Sequence, residues 1–195
     1  KLGMAGTSLI VIAATLATAV VTEPTALLLP PMPEALEEAM NSLTKGPFLL
    51  NFISVAIFAP FFEEWLCRGI VLRGLLSKTK PTNAILTSAV FFAVIHLNPW
   101  QALPAFIMGV LFGYVYYRTG SIRLTMLMHS ANNTMALVIS RIPALNDVDY
   151  IFEAMNGWSY SLAYAACLVT AISTIIIIRT NSVDRSSCRT EQEPV

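Results

Sequence analysis

Charged side chains are scarce in this chain. Of its 195 residues, 12 are Lys or Arg and 12 are Asp or Glu, so 12% is charged, where a soluble domain carries roughly 25%. The formal net charge is zero and there is no basic stripe, which excludes an electrostatic grip on nucleic acid. Cys67, Cys167 and Cys188 lie in a polar motif, an apolar run and a polar tail without metal-type spacing, so neither a disulfide framework nor a zinc knuckle is expected. There is no Gly-x-Ser-x-Gly elbow, no Ser-His-Asp order and no His-Glu-x-x-His pair. The usual signatures of serine hydrolases and helical zinc proteases are therefore missing.

What is present in excess is apolar surface, at 55% of residues. Apolar runs of about 20 residues are the unit that crosses a bilayer as a helix, and six can be drawn: Leu2 to Val21, Phe48 to Leu76, Asn83 to Leu97, Trp100 to Tyr117, Ile122 to Ile139 and Tyr160 to Ile178. The expected fold is an all-α polytopic transmembrane helix bundle with about six spans. The first run is too long for a signal peptide's apolar core and is followed by no clear cleavage site, so it reads as a retained span. Between the first two runs, Leu36, Met40 and Leu43 share one face of a helical pattern and Glu34, Glu37 and Glu38 lie largely off it, as in a short interfacial helix. The second run is longer than one perpendicular crossing, so it must tilt, break near Pro60 or extend past the lipid. Gly109 and Gly113 in the fourth run form a small-xxx-small pair suited to close helix approach.

Loop charge suggests the orientation. With the N-terminus inside, Lys1, Arg73, Lys78, Lys80, Arg118, Arg123, Arg179, Arg185 and Arg189 fall inside, and only Lys45 and Arg141 fall outside. The positive-inside rule then makes both termini cytoplasmic. Four segments result: 1–46, the first span with an acidic outer loop and amphipathic helix; 47–140, a catalytic core; 141–178, an outer loop and the last span; and 179–195, a polar tail expected to be mobile.

The chemistry concentrates inside the lipid-compatible runs. Glu63, Glu64 and Arg68 interrupt the second run, and a charge near the bilayer centre costs a few kcal/mol even on lenient scales. On a helix Glu64 and Arg68 are four apart, acid first, the better order for an ion pair. Glu63 is turned by about 100° from that pair, which leaves it free to face a cavity. The only two histidines are His96, four after Phe92, and His129, four before Asn133. A carboxylate that takes a proton from water, an imidazole that shuttles it and N–H donors for an oxyanion are what peptide hydrolysis needs. The plainer alternative is a buried structural network that does no chemistry.

Glu63-Glu64-x-x-x-Arg68, Phe92-x-x-x-His96 and His129-x-x-x-Asn133, in this order on separate runs, resemble the three motifs of the CAAX protease and bacteriocin-processing (Abi) family, which includes the type II CAAX prenyl endopeptidases. The resemblance covers Phe48 to Ser140. It implies a helical intramembrane endopeptidase acting on membrane-embedded or lipidated peptides. In it Glu63 and His96 would activate water, His129 and Asn133 would line the oxyanion site, and no cofactor would be needed. Glu64, Arg68 and Phe92 complete the motifs as supporting residues.

Three rival readings remain. Glu63, His96 and His129 make a His₂Glu set, a known catalytic zinc constellation. The chain could instead be a membrane scaffold or bacteriocin-immunity-type protein that cuts nothing. A proton relay comes third, with no inverted repeat to support it. Oligomeric state and substrate identity are left open. One tension stands: counted from the inner helix ends, His96 comes out deeper than His129, so the third span must start lower, tilt, or stop inside the bundle near Pro99.

Overall fold

The computed structural model describes residues 3–44, 46–142 and 151–181. The polar tail with Cys188, the loop at 143–150, Lys1, Leu2, Lys45 and the side chain of Leu43 lie outside the described residues. The regular elements among the described residues are all helices, with no strand among them. Six long rods appear where six apolar runs were expected: α1 (Met4–Thr22), α3 (Phe48–Leu76), α4 (Pro81–Val94), α5 (Pro99–Thr119), α6 (Ile122–Ile139) and α8 (Gly157–Thr180). The short helices α2 (Glu34–Thr44) and α7 (Ile151–Ala154) lie between them. In α2, Leu36 and Met40 are half-buried and the three glutamates are exposed, as an interfacial helix requires.

Met4–Leu28, Phe48–Leu76 and Gly157–Thr180 are long and apolar enough to cross a membrane, and α4 is a shorter apolar helix. The other two rods, α5 and α6, are diluted by polar residues, among them Arg118, Arg123, His129, Asn132 and Asn133. Large apolar side chains face outward on the long rods: Leu50, Phe58, Phe62, Trp65, Leu162, Val169 and Ile176 are all exposed. An apolar belt of this extent is what hydrocarbon covers. The protein is a helical bundle integral to the membrane.

α1 is built to pack. Its Thr7, Thr15 and Thr22 are buried with hydroxyls that donate to their own helix's carbonyls at Gly3, Val11 and Ala19, so no polar group is stranded in the apolar interior. The main core joins α1, α5, α6 and α8 through Val11, Met108, Leu111, Phe112, Val115, Leu124, Met128 and Ile178. A second cluster, Leu72, Ala84, Ile85 and Tyr116, locks α3, α4 and α5.

The α4–α5 contact uses the small-xxx-small pair. A Cβ placed on Gly109 would lie 3.0 Å from Ala89 Cα, and one on Gly113 would lie 3.1 Å from Ile85 Cγ2. Backbone cannot yield as a side-chain tip can, so Gly109→Ala is expected to destabilise by about 1–3 kcal/mol. Gly74→Ala, which meets nothing within 4 Å, is the control, and unfolding in mild detergent separates the two.

α3 does not break at Pro60. It runs as one rod of 29 residues by loosening its hydrogen-bond ladder on both sides of the acidic pair. Phe52–Phe58 and Trp65–Leu72 are π-helical, while Ala59–Glu64 between them is α-helical. π stretches inside α-helices commonly mark functional sites. α4, by contrast, stops early. Its 14 residues span about 21 Å, short of the roughly 30 Å hydrocarbon core. Pro99 disfavours helical backbone at the residue before it. Asn98 is accordingly extended, at φ −144°, and its side chain accepts from Trp100 N–H to cap α5. His96 therefore lies in the turn after α4, not within the helix.

Candidate active site

Glu64 and Arg68 are both fully buried, and Arg68 Nη1 donates to Glu64 Oε1 at 2.7 Å. Arg68 Nη2 donates to the Gly109 carbonyl at 3.1 Å. Its guanidinium carbon lies 4.5 Å from the centroid of Phe92 and 5.4 Å from that of Phe112. Two aromatic faces and a carbonyl thus share the cation with Glu64, which is how a desolvated arginine is accommodated. Gly109 serves this arrangement as well as the helix contact, because close approach to α4 sets the distance at which α5 presents its carbonyl to Arg68.

His129, from α6, bridges the two carboxylates. Its Nδ1 is 3.1 Å from Glu64 Oε1 and its Nε2 is 3.8 Å from Glu63 Oε2. A carboxylate held ionised by Arg68 only accepts, so Nδ1 carries the proton of that hydrogen bond. Phe92 and Phe112 flank the imidazole at ring distances of 5.4 and 5.7 Å. Glu63 is different in kind from Glu64. Its side chain is 30% exposed where that of Glu64 is 0%, although in both carboxylates Oε2 is buried without a hydrogen-bond partner among the described residues. The two adjacent glutamates thus face different surroundings, one closed in an ion pair and one open.

His96 is half-buried. It meets Phe92 edge-on at 4.9 Å, and its Nδ1 donates to the Phe92 carbonyl at 2.8 Å. That bond assigns the tautomer: in the neutral ring Nε2 keeps its lone pair. Among the described residues His96 makes no ion pair with either glutamate, and the imidazole paired with Glu63 is that of His129. Asn133 is also engaged. Its Nδ2 donates to the Val55 carbonyl at 2.9 Å, and its Oδ1 accepts from Asn132 Nδ2 at 3.2 Å.

Glu63, Glu64, Arg68, Phe92 and His129 therefore form one cluster, with His96 joined to it through Phe92 and Asn133 one turn along α6. No group of three His, Cys, Asp or Glu side chains converges to hold a metal ion among the described residues. Glu63, His96 and His129, the His₂Glu set considered for zinc, do not make such a group. Sequence reasoning missed Phe112, Gly109 as an acceptor, and Ser130, whose hydroxyl donates to the Ala56 carbonyl. Phe112 lies between Gly109 and Gly113, so the small-residue spacing was the signal that could have found it.

Two comparisons with known proteins each match about half of the chain. Over 97 residues, 50% of this chain, it is 31% identical to a Bacillus subtilis (strain 168) protein described as "Putative membrane peptidase YdiL". The matched stretch spans 40% of that relative's length. No solved structure matches the chain significantly. A family model described as "Type II CAAX prenyl endopeptidase Rce1-like" matches residues 45–135, the stretch that carries the glutamate pair, Arg68, Phe92, both histidines and Asn133. Both matches support the CAAX protease and bacteriocin-processing family, whose three motifs this stretch carries in order.

Proposed function

We propose that this protein is an intramembrane endopeptidase that hydrolyses membrane-embedded or lipidated peptides with water activated by Glu63. The observation that carries this reading is the Glu63 carboxylate, 30% exposed where Glu64 is closed in, 3.8 Å from the His129 imidazole in a largely apolar bundle. Such a group is costly in lipid unless it has work to do. Glu63 takes the proton from water as that water attacks the scissile carbonyl. His96, its Nδ1–H tied to Phe92, presents Nε2 as a second base. The remaining Nδ2–H of Asn133 donates to the oxyanion, joined by Nε2–H of His129 in the imidazolium form, flanked by both glutamates. Glu64 and Arg68 hold His129 in place and touch no substrate.

No metal takes part in this scheme. Loop charge favours both termini on the cytoplasmic side, and substrate enters from the lipid between the exposed apolar rods. The test uses purified protein in lipid discs with matched lipidated and unlipidated peptides, with and without a chelator. Cleavage that survives chelation is expected. Cleavage lost to the chelator and restored by zinc would replace the glutamate mechanism with the metal one, and no cleavage of any anchored peptide would sink the enzyme reading.

A further inference from the structure

Pro60 sits three residues before Glu63 and has no N–H. In the π stretch that precedes it, each N–H reaches the carbonyl five residues back, as Ala59 N–H does to Ser54. The next bond of that ladder would run from residue 60 to the Val55 carbonyl, and an α-type bond would run from residue 60 to Ala56. Proline can make neither, and a buried carbonyl in lipid with no donor is a standing cost.

Both carbonyls have donors, and both donors come from α6. Asn133 Nδ2 reaches Val55 O at 2.9 Å, and Ser130 Oγ reaches Ala56 O at 2.5 Å. The Asn132 amide bonds to Asn133 Oδ1 at 3.2 Å, which turns the Asn133 amino group toward Val55. α6 is also the helix that carries His129 to Glu63 and Glu64. One face of one helix therefore supplies the imidazole and grips the α3 backbone just before the carboxylates.

Resting on the peptidase reading above, we infer that Ser130 and Asn133 are positioning residues. Their side-chain donors stand in for the N–H that Pro60 lacks, and so set the rotation and height at which α3 offers Glu63 and Glu64 to His129. Proline at this place is then a device. It leaves the Val55 and Ala56 carbonyls one backbone donor short, and donors on α6 serve both, which makes the α3–α6 register specific where apolar packing in lipid would allow sliding. Asn133 keeps a second Nδ2 hydrogen, so the clamp leaves its oxyanion role intact.

The test is a double-mutant cycle on the full chain in lipid discs: Pro60→Ala, Ser130→Ala, Asn133→Ala and the doubles with Pro60→Ala. Ser130→Ala is expected to lower kcat by about tenfold or more with KM within about twofold, the mark of displaced chemistry with binding intact. Restoring the N–H at position 60 should then shrink the thermal-midpoint loss from Ser130→Ala, from Asn133→Ala, or from both. Losses from both substitutions that are the same with and without Pro60→Ala would overturn the clamp, as would a Ser130→Ala protein with unchanged kcat. If the wild type cleaves no peptide, the peptidase reading falls by itself, and the thermal cycle still decides whether the clamp exists.

Discussion

Glu63→Gln is expected to reduce peptide cleavage by roughly 10³-fold, within the range lost with a general base, and to leave the fold intact. Glutamine matches glutamate in shape but cannot take a proton. Little else would be lost, because Arg68 pairs with Glu64 and the Glu63 contact with His129 Nε2 is a long one at 3.8 Å. The thermal midpoint should stay close to that of the wild type, or rise as a lipid-facing charge is removed. Initial rates on an anchored peptide, with thermal unfolding of the same preparation, read both quantities. A variant that folds and cuts as fast as the wild type would move the base elsewhere.

The largest structural loss is expected from Arg68→Leu. Arg68 and Glu64 are both 0% exposed, and the substitution strands a carboxylate in the bundle while removing the bond to the Gly109 carbonyl and the stacking on Phe92 and Phe112. Breaking one side of a buried pair typically costs 3–5 kcal/mol, so about that loss is expected, with activity lost alongside it. Pairing the change with Glu64→Gln should recover part of it, since replacing both charges is far cheaper than orphaning one. Denaturant titration in mixed micelles measures the difference. A single-variant loss under about 1 kcal/mol, the worth of an exposed pair, would mean that water reaches Glu64.

The two neighbouring glutamates differ because helix geometry separates them, and that much was legible in the sequence. Glu64 is four residues from Arg68 and Glu63 is one step round the helix, so one carboxylate was bound to be paired and the other free. The small-xxx-small spacing of Gly109 and Gly113 likewise announced the close α4–α5 contact. Other features depend on packing that no local pattern encodes. The histidine that pairs with Glu63 is His129 and not His96, because α4 ends at Val94 and leaves His96 in a turn held by its own Phe92 carbonyl. Phe112 becomes the second face over Arg68 only once α5 lies against α4. Pro60 was read as a possible break, since proline usually interrupts a helix. Two donors on α6, 74 and 78 residues away in sequence from the carbonyls they serve, instead let the rod continue. The π stretches that flank the acidic pair left no sign in composition or periodicity.

The most direct test of the central claim compares the termini of membrane peptides from cells carrying the wild type or Glu63→Ala at matched expression. New termini that appear only with the wild type are the predicted result, and the residues around each cut would identify the substrate class. Identical termini in the two strains, with the variant still doing for the cell whatever the wild type does, would contradict the account. The buried Glu64–Arg68–His129 network would then be what holds a non-proteolytic membrane scaffold together.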